Sequence, residues 1–267
     1  HSAFGELAEG EIFYKKIIGF ILSALLAVTG CTSENDTETV SQKTTSEIII
    51  QEVTSMHYEI DTSKPMVALT FDDGPNITTT VQILDKLEKY QIPASFFLVG
   101  NNISDSTAKV VKRAYDMGCE IGNHSKSHDY MNKMSAEDIK AEVDFVSDKV
   151  EEITGEAPKF FRPPYIAVNS DMYDNIDMPF ICGVGCNDWD PKVTVQERID
   201  NTINQVQDGT IILLHDAAGN NQTVEALDGI ITALQEQGYQ FVTVSELFAA
   251  RGIEISADDT NLYTHVK

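Results

Sequence analysis

Between residues 66 and 250 the hydrophobic positions change period repeatedly, from short runs that are mostly apolar to longer stretches with an apolar residue every third or fourth position. The runs at Met66–Phe71, Ala94–Val99, Cys119–Gly122, Lys159–Phe161, Phe180–Val184, Thr210–Leu214 and Gln240–Val244 predict strands, several too apolar for a sheet with one face in water. Helical stripes separate them. Val81, Leu84 and Leu87 form one; Ile139, Val143, Val146, Val150 and Ile153 form a longer one with Ser135 placed to cap it. Thr194 followed by Glu197 makes a capping box ahead of Ile199, Ile203 and Val206, and Gly209 is expected to stop that helix. Val224, Leu227, Ile230, Ile231 and Leu234 make the last stripe, closed by Gly238. Strands alternating with helices predict a parallel α/β sheet. Closure into a barrel is as economical as an open doubly wound sheet at this length, and periodicity leaves both open.

Ahead of this region the pattern differs. Lys15 and Lys16 precede a run from Ile17 to Thr29 of apolar residues, Gly, Ser and Thr, too short to span a bilayer as a helix but suited to the core of a secretory signal. The run ends Val28-Thr29-Gly30-Cys31, which resembles the lipobox of a bacterial lipoprotein, with Cys31 as the lipidated residue. From Thr32 to Ser46 the chain is rich in Ser and Thr, with Val40 its only apolar residue, and has little to bury against the entropy of ordering. We therefore expect a leader over 1–31, a flexible tether over 32–54, and a folded domain over 55–267; with all of 32–64 flexible the span would be roughly 30 Å. The expected location is extracytoplasmic, on the outer face of the cell membrane, with the lipid anchor as the only membrane contact.

The 267 residues carry 42 Asp+Glu against 19 Lys+Arg, a formal charge of −23. A chain this acidic, with no basic stripe, is repelled by phosphate backbones, which sets nucleic-acid partners aside. Cys31, Cys119, Cys182 and Cys186 have neither the spacing of a disulfide framework nor that of paired zinc knuckles, and the last three are expected to pack as small apolar groups.

In parallel α/β folds, chemistry gathers at the C-terminal ends of the strands. Five predicted strands here run into ionisable residues: Asp72-Asp73-Gly74-Pro75, then His124 and His128, then Arg162-Pro163-Pro164-Tyr165, then Asp188-Trp189, then His215-Asp216. His124 and His128 reach one face if the segment turns helically, and with a carboxylate they form a set of three metal ligands that leaves positions open. Alone, such a pair is commonly two solvated or core histidines. Asp-Gly-Pro is also turn chemistry. Adjacent residues on a regular strand face opposite ways, which argues against Asp72 and Asp73 as a glycosidase pair. Where the chain bends, one can bind a metal while the other takes a proton. Arg162 suits a bidentate contact that keeps the free carboxylate ionised, and the Tyr165 N–H suits an oxyanion. His215 suits a general acid whose pKa Asp188 raises, and Trp189 and Leu213 offer an apolar wall, though a sole Trp is as readily core.

Thr70-Phe71-Asp72-Asp73-Gly74-Pro75, His124-Ser125-Lys126-Ser127-His128, Arg162-Pro163-Pro164-Tyr165, Asp188-Trp189 and Leu213-Leu214-His215 resemble, in order, the five motifs of the family-four carbohydrate esterases, the polysaccharide deacetylases with a NodB-homology domain. The resemblance covers about residues 60–250. It implies a distorted (β/α) barrel of about seven parallel strands and one divalent metal ion, usually Zn²⁺, with Co²⁺ or Ni²⁺ able to serve. The implied reaction is removal of N-acetyl groups from N-acetylglucosamine polymers, or of acetyl esters from xylan. By the same resemblance Asp73, His124 and His128 would bind the metal, with Asp72 as general base and His215 as general acid. Arg162 would hold Asp72, Asp188 would tune His215, the Tyr165 N–H would serve the oxyanion, and Trp189 and Leu213 would cup the acetyl methyl. Two positions depart from the family: Ile166 stands where Gly is frequent, and Gly185-Cys186 precede Asp188. With the leader, peptidoglycan is the expected substrate, ahead of chitin oligomers and acetylated xylan, and a monomer the expected state. The rivals are a catalytically silent wall-binding module and, more weakly, a metal-dependent glycosidase.

Overall fold

The computed structural model describes residues 58–254, 256 and 259–267. The predicted leader with Cys31, the tether and the boundary near residue 55 lie outside them.

Strand β1 (Met66–Asp72) is buried along its whole length. Its side chains alternate between two apolar environments, as a strand's period of two requires. Val67, Leu69 and Phe71 pack outward against the helices, while Met66 and Ala68 point inward with Phe97, Phe160, Ile181 and Ile211. Asp72 shares the inward parity. Removing the Phe71 ring from this two-sided core should cost about 3–5 kcal/mol.

Around β1 the strands are parallel. β2 (Ser95–Leu98) and β3 (Glu120–Asn123) follow on one side and β6 (Thr210–His215) on the other, with β5 (Val184–Gly185) beyond it. β7 (Gln240–Val242) pairs with the first half of β1, at Met66, Val67 and Ala68, and β2 pairs with the second half, at Thr70, Phe71 and Asp72. One edge of β1 thus changes partner midway. The ring continues from Asn123 to Phe161, from Phe161 to Phe180 in β4 (Phe180–Ile181), and from β4 to β8 (Leu262–Tyr263). It closes where His265 bridges Thr210. The result is the distorted, barrel-like parallel α/β fold.

Most predicted strands recur within a residue or two. Lys159–Phe161 does not form one: only Phe161 bridges its neighbours, because Pro158, Pro163 and Pro164 remove amide donors on both sides of it. The single strand expected at Phe180–Val184 is broken at Gly183, whose φ of 96° lets the N–H groups of Cys182 and Gly183 both reach the Tyr263 carbonyl. β8 carried no predictive pattern.

The helices include α1 (Thr79–Tyr90), α2 (Asp105–Asp116) and α3 (Ala136–Thr154), the last capped by Ser135 as expected. After α4 (Ser170–Asn175) comes α5 (Val195–Ile203), which starts at the predicted Thr194–Glu197 capping box but ends at Ile203; Gly209 lies beyond it in the turn into β6. α6 (Asn221–Glu236) carries the Val224–Leu234 stripe, and α7 (Val244–Ala250) follows β7. α2, α4 and α7 were not predicted: α4 and α7 are short, while α2 did carry a stripe, Val110, Val111 and Ala114, behind the Ser104–Thr107 capping box. No helix among the described residues is long and apolar enough to cross a membrane.

Candidate active site

The Cα partners Asp72 and His215 end two neighbouring strands. Leu213 and His215 share the inward parity of Ile211, so parity alone places Asp72, Leu213 and His215 on the barrel's inner face. They open into a cavity of about 610 Å³, also lined by Asp73, His124, His128 and Tyr165. That volume is ordinary for a ligand site.

Asp73 joins Asp72 there because its φ is 75°, so the strand's alternation stops at that residue. Its Oδ1 lies 3.4 Å from His128 Nε2 and 3.7 Å from His124 Nε2. The three donor atoms fall within 4.8 Å of one another. His124 Nδ1 is 2.6 Å from the Arg162 carbonyl and donates to it, which leaves the Nε2 lone pair turned to Asp73. One carboxylate and two imidazoles on one side of a point fit a divalent cation with open positions. The two histidines meet without a helix. Ser125 and His128 take φ of 65° and 62°, and the turns are tied by Ser125 N–H to Asn123 Oδ1 and His128 N–H to Ser125 Oγ. The helical route expected from their spacing is replaced by side-chain-closed turns, in which Asn and Ser satisfy the backbone locally.

Asp72 stays outside this trio yet beside it, with Oδ2 3.7 Å from His124 Nε2. Burial pushes its carboxyl up, but the Arg162 guanidinium, His124 and His215 outweigh burial and hold it below the usual carboxylate range. Arg162 Nη1 donates to Asp72 Oδ1 at 2.6 Å. The contact is single, not the bidentate one expected, because the guanidinium lies over the Phe97 ring at 4.1 Å and turns Nε toward the Ile181 carbonyl.

Across the cavity His215 Nδ1 meets Asp188 Oδ1 at 2.8 Å, leaving Nε2 free. Burial alone would lower this imidazole; the hydrogen bond and charge of Asp188, with Asp72 and Asp73 beyond, push it up to about 9. A carboxylate held ionised and an imidazole held protonated therefore face one another across a cation-sized ligand set. That is an acid–base arrangement for hydrolysis.

Known proteins carry the same arrangement of sequence and fold. The sequence profile described as polysaccharide deacetylase matches residues 59–178. A peptidoglycan-N-acetylglucosamine deacetylase of Bacillus cereus is 34% identical over 199 residues, which are 71% of this chain and 91% of that protein. The chain belongs to the polysaccharide deacetylase family. A bifunctional xylanase/deacetylase of Pseudobutyrivibrio xylanivorans is 47% identical over 205 residues, 77% of this chain and 34% of that protein. The chain thus spans about a third of that relative's length. A family 4 acetyl xylan esterase of Clostridium thermocellum, solved in complex with a cobalt ion, matches with a TM-score of 0.74 at 43% identity, covering 75% of this chain and 98% of that one.

In this member of the family the two departures have structural readings. Ile166 adopts φ of 54° immediately after Tyr165 at 59°, a left-handed backbone that a glycine takes without strain. Ile166 and Ala167 donate their N–H groups to the Pro163 and Pro164 carbonyls; the Tyr165 N–H takes no part in that turn. The Asp188 carboxylate is held from elsewhere, while its backbone N–H meets the Cys186 thiol. Its Oδ2 accepts the His215 N–H at 2.8 Å and the Thr223 hydroxyl at 2.7 Å, and Arg198, buried on α5, donates to Thr223 Oγ1 and Asn220 Oδ1. Trp189 is 65% exposed at the cavity rim, not in the core, and Leu213 forms the apolar floor.

Arg198, Asn220 and Thr223 escaped sequence reading. Arg198 alone left a signal, a cation on the buried face of a capped helix. Asp216 was visible beside His215 but its part was not: it is fully buried, accepts from Thr80 Oγ1, and presses so closely under Gly74 that a Cβ there would lie 2.2 Å from its Oδ2. Burial, then Asp73 and Asp72, push this carboxyl up to about 7. Only glycine fits the loop that turns Asp73 into the cavity.

Proposed function

We propose that this polysaccharide deacetylase is a metal-dependent hydrolase that removes acetyl groups from a polysaccharide, with Asp73, His124 and His128 holding the cation. The observation that carries the reading is the pairing of an ionised, unligated Asp72 with a three-donor set 3.7 Å away. A divalent cation held there supplies Lewis acidity and lowers the pKa of water. Asp72, oriented by Arg162, takes the proton from the attacking water. The Tyr165 N–H donates to the oxygen that becomes negative, and His215, charged by its contact with Asp188, gives a proton to the departing atom. Leu213 and Trp189 enclose the methyl group. Each general catalyst should contribute about 10²–10⁴ in rate.

Two acetyl carriers have support. The relatives at 47% and 43% identity are named for xylan chemistry, which favours acetyl esters of xylan. The relative at 34% identity that is covered over 91% of its length favours N-acetylglucosamine in peptidoglycan, and the lipobox-like segment at Cys31, which would set the domain just outside a membrane, favours it too. Chitin oligomers stand third. The test incubates the full chain with acetylated xylan, peptidoglycan and chitin oligomers and measures acetate, with chelator and after return of Zn²⁺, Co²⁺ or Ni²⁺. Acetate that disappears with chelator and returns with metal supports the proposal. Binding without acetate points to a silent wall module, and new reducing ends point to a glycosidase; either overturns it.

A further inference from the structure

Five groups form a column from the surface through the two histidines of the proposed metal site. Lys133 Nζ sits 4.4 Å above the Tyr130 ring. Tyr130 lies nearly parallel to Tyr165, with centroids 4.1 Å apart and planes at 16°. Tyr165 meets His128 at 4.7 Å and 60°, and His128 meets His124 at 4.9 Å. The two tyrosines belong to different loops, one after β3 and one after Phe161. They are 45% and 54% exposed, and at the rim their mutual contact adds to the His124–Arg162 and Asn169–Asn132 hydrogen bonds that tie the same two segments deeper in.

Both loops need holding. Tyr165 and Ile166 carry consecutive left-handed backbones, and at a β-branched residue that conformation persists only when its surroundings impose it. His128 is also left-handed, and among the described residues its ring has no hydrogen bond of the kind that locks His124 to the Arg162 carbonyl; it has its approach to Asp73 and the face of Tyr165. A ligating imidazole is ordinarily oriented by a partner on its second nitrogen. Here ring contacts, with Tyr165 on one side and His124 on the other, do the orienting.

We propose that Tyr130 is a positioning residue: stacked on Tyr165, it holds the left-handed 165–166 turn and, through the Tyr165 ring, sets His128 in its ligating orientation. The catalytic half of this inference rests on the proposed deacetylase reaction; the metal-binding half does not.

The test uses the full chain carrying Tyr130→Phe, Tyr130→Leu or Tyr130→Ala, with Zn²⁺ affinity read by competition against a chromophoric chelator and acetate release read as kcat and KM. Because Tyr130 is half exposed, unchanged far-UV circular dichroism is expected throughout. Phe keeps the ring and should stay within about twofold of wild type, whereas Leu and Ala should weaken Zn²⁺ binding about tenfold and lower kcat more than they raise KM. Ile166→Gly, which relaxes the turn, should shrink the kcat cost of Tyr130→Ala. Wild-type Zn²⁺ affinity in Tyr130→Ala, or a Phe variant as impaired as the Ala variant, overturns the proposal. If no substrate yields acetate even from wild type, the deacetylase reading fails while the Zn²⁺ competition still decides the role of Tyr130.

Discussion

His124 and His128 sit four positions apart and face the same carboxylate, yet they are held by different physics. His124 is buried, and its Nδ1 is fixed by a backbone carbonyl. His128 stands a quarter exposed at the rim, in a left-handed turn, against a tyrosine ring. The same division runs through the whole cavity. Asp72, Arg162, Asp188 and Leu213 are anchored in or beside the strands by hydrogen bonds and close packing, while Tyr165, Tyr130 and Trp189 are exposed groups on loops. The buried half depends on satisfied polar groups, where each lost partner leaves an unpaired one behind. The rim depends on ring contacts, which tolerate loss without threatening the fold.

Exchanging the two imidazoles for alanine breaks that comparison most directly. Both His124→Ala and His128→Ala should abolish metal binding and turnover, read by elemental analysis and acetate release. Only His124→Ala should also lower the urea-unfolding free energy of the metal-free protein, by about 1–3 kcal/mol, because the Arg162 carbonyl is left buried and unpaired. Equal stabilities would erase the distinction.

Asp72→Asn comes next. Turnover should fall by about 10²–10⁴ with metal content unchanged, since the base is lost but no ligand is. A variant that loses its metal would place Asp72 among the ligands instead.

His215 sharpens the buried half through pH. In the metal-free protein its ring should titrate at about 9 by NMR, and Asp188→Asn should move it down toward the ordinary histidine value near 6.5. Because the folded pKa lies above the unfolded one, the stability from this pair is fully present below about pH 6.5 and is lost as pH rises through about 9. An unmoved titration in Asp188→Asn would remove Asp188 as the cause.

The smallest effect is expected for Thr223→Val, which deletes one of the hydrogen bonds to Asp188 and strands an Arg198 N–H. The cost should be about 1–3 kcal/mol in urea unfolding, with the metal site untouched. A drop in metal affinity would show that the two sides of the cavity are coupled.

Much of this was legible in the chain. The alternation in Met66–Asp72 already put Asp72 on one side with Met66 and Ala68, the Thr194–Glu197 and Ser135 caps marked where helices begin, and the five ordered motifs pointed to the family. Such signals are local: a period or a cap is set by residues within a turn or two of one another. What only tertiary structure decided are relations between distant segments. Residues 262–265 close the ring on β4 and Thr210, Arg198 and Thr223 brace Asp188 from separate helices, and Tyr130 meets Tyr165 across two loops. The left-handed residues at Asp73, Ser125, His128, Tyr165 and Ile166 belong here too. Their backbones run against intrinsic preference: at Ser125 and His128 the neighbouring Asn123 and Ser125 side chains close the turns, whereas at Asp73 and at Tyr165–Ile166 contacts from distant segments surround the strained residues, and no apolar period announces either kind.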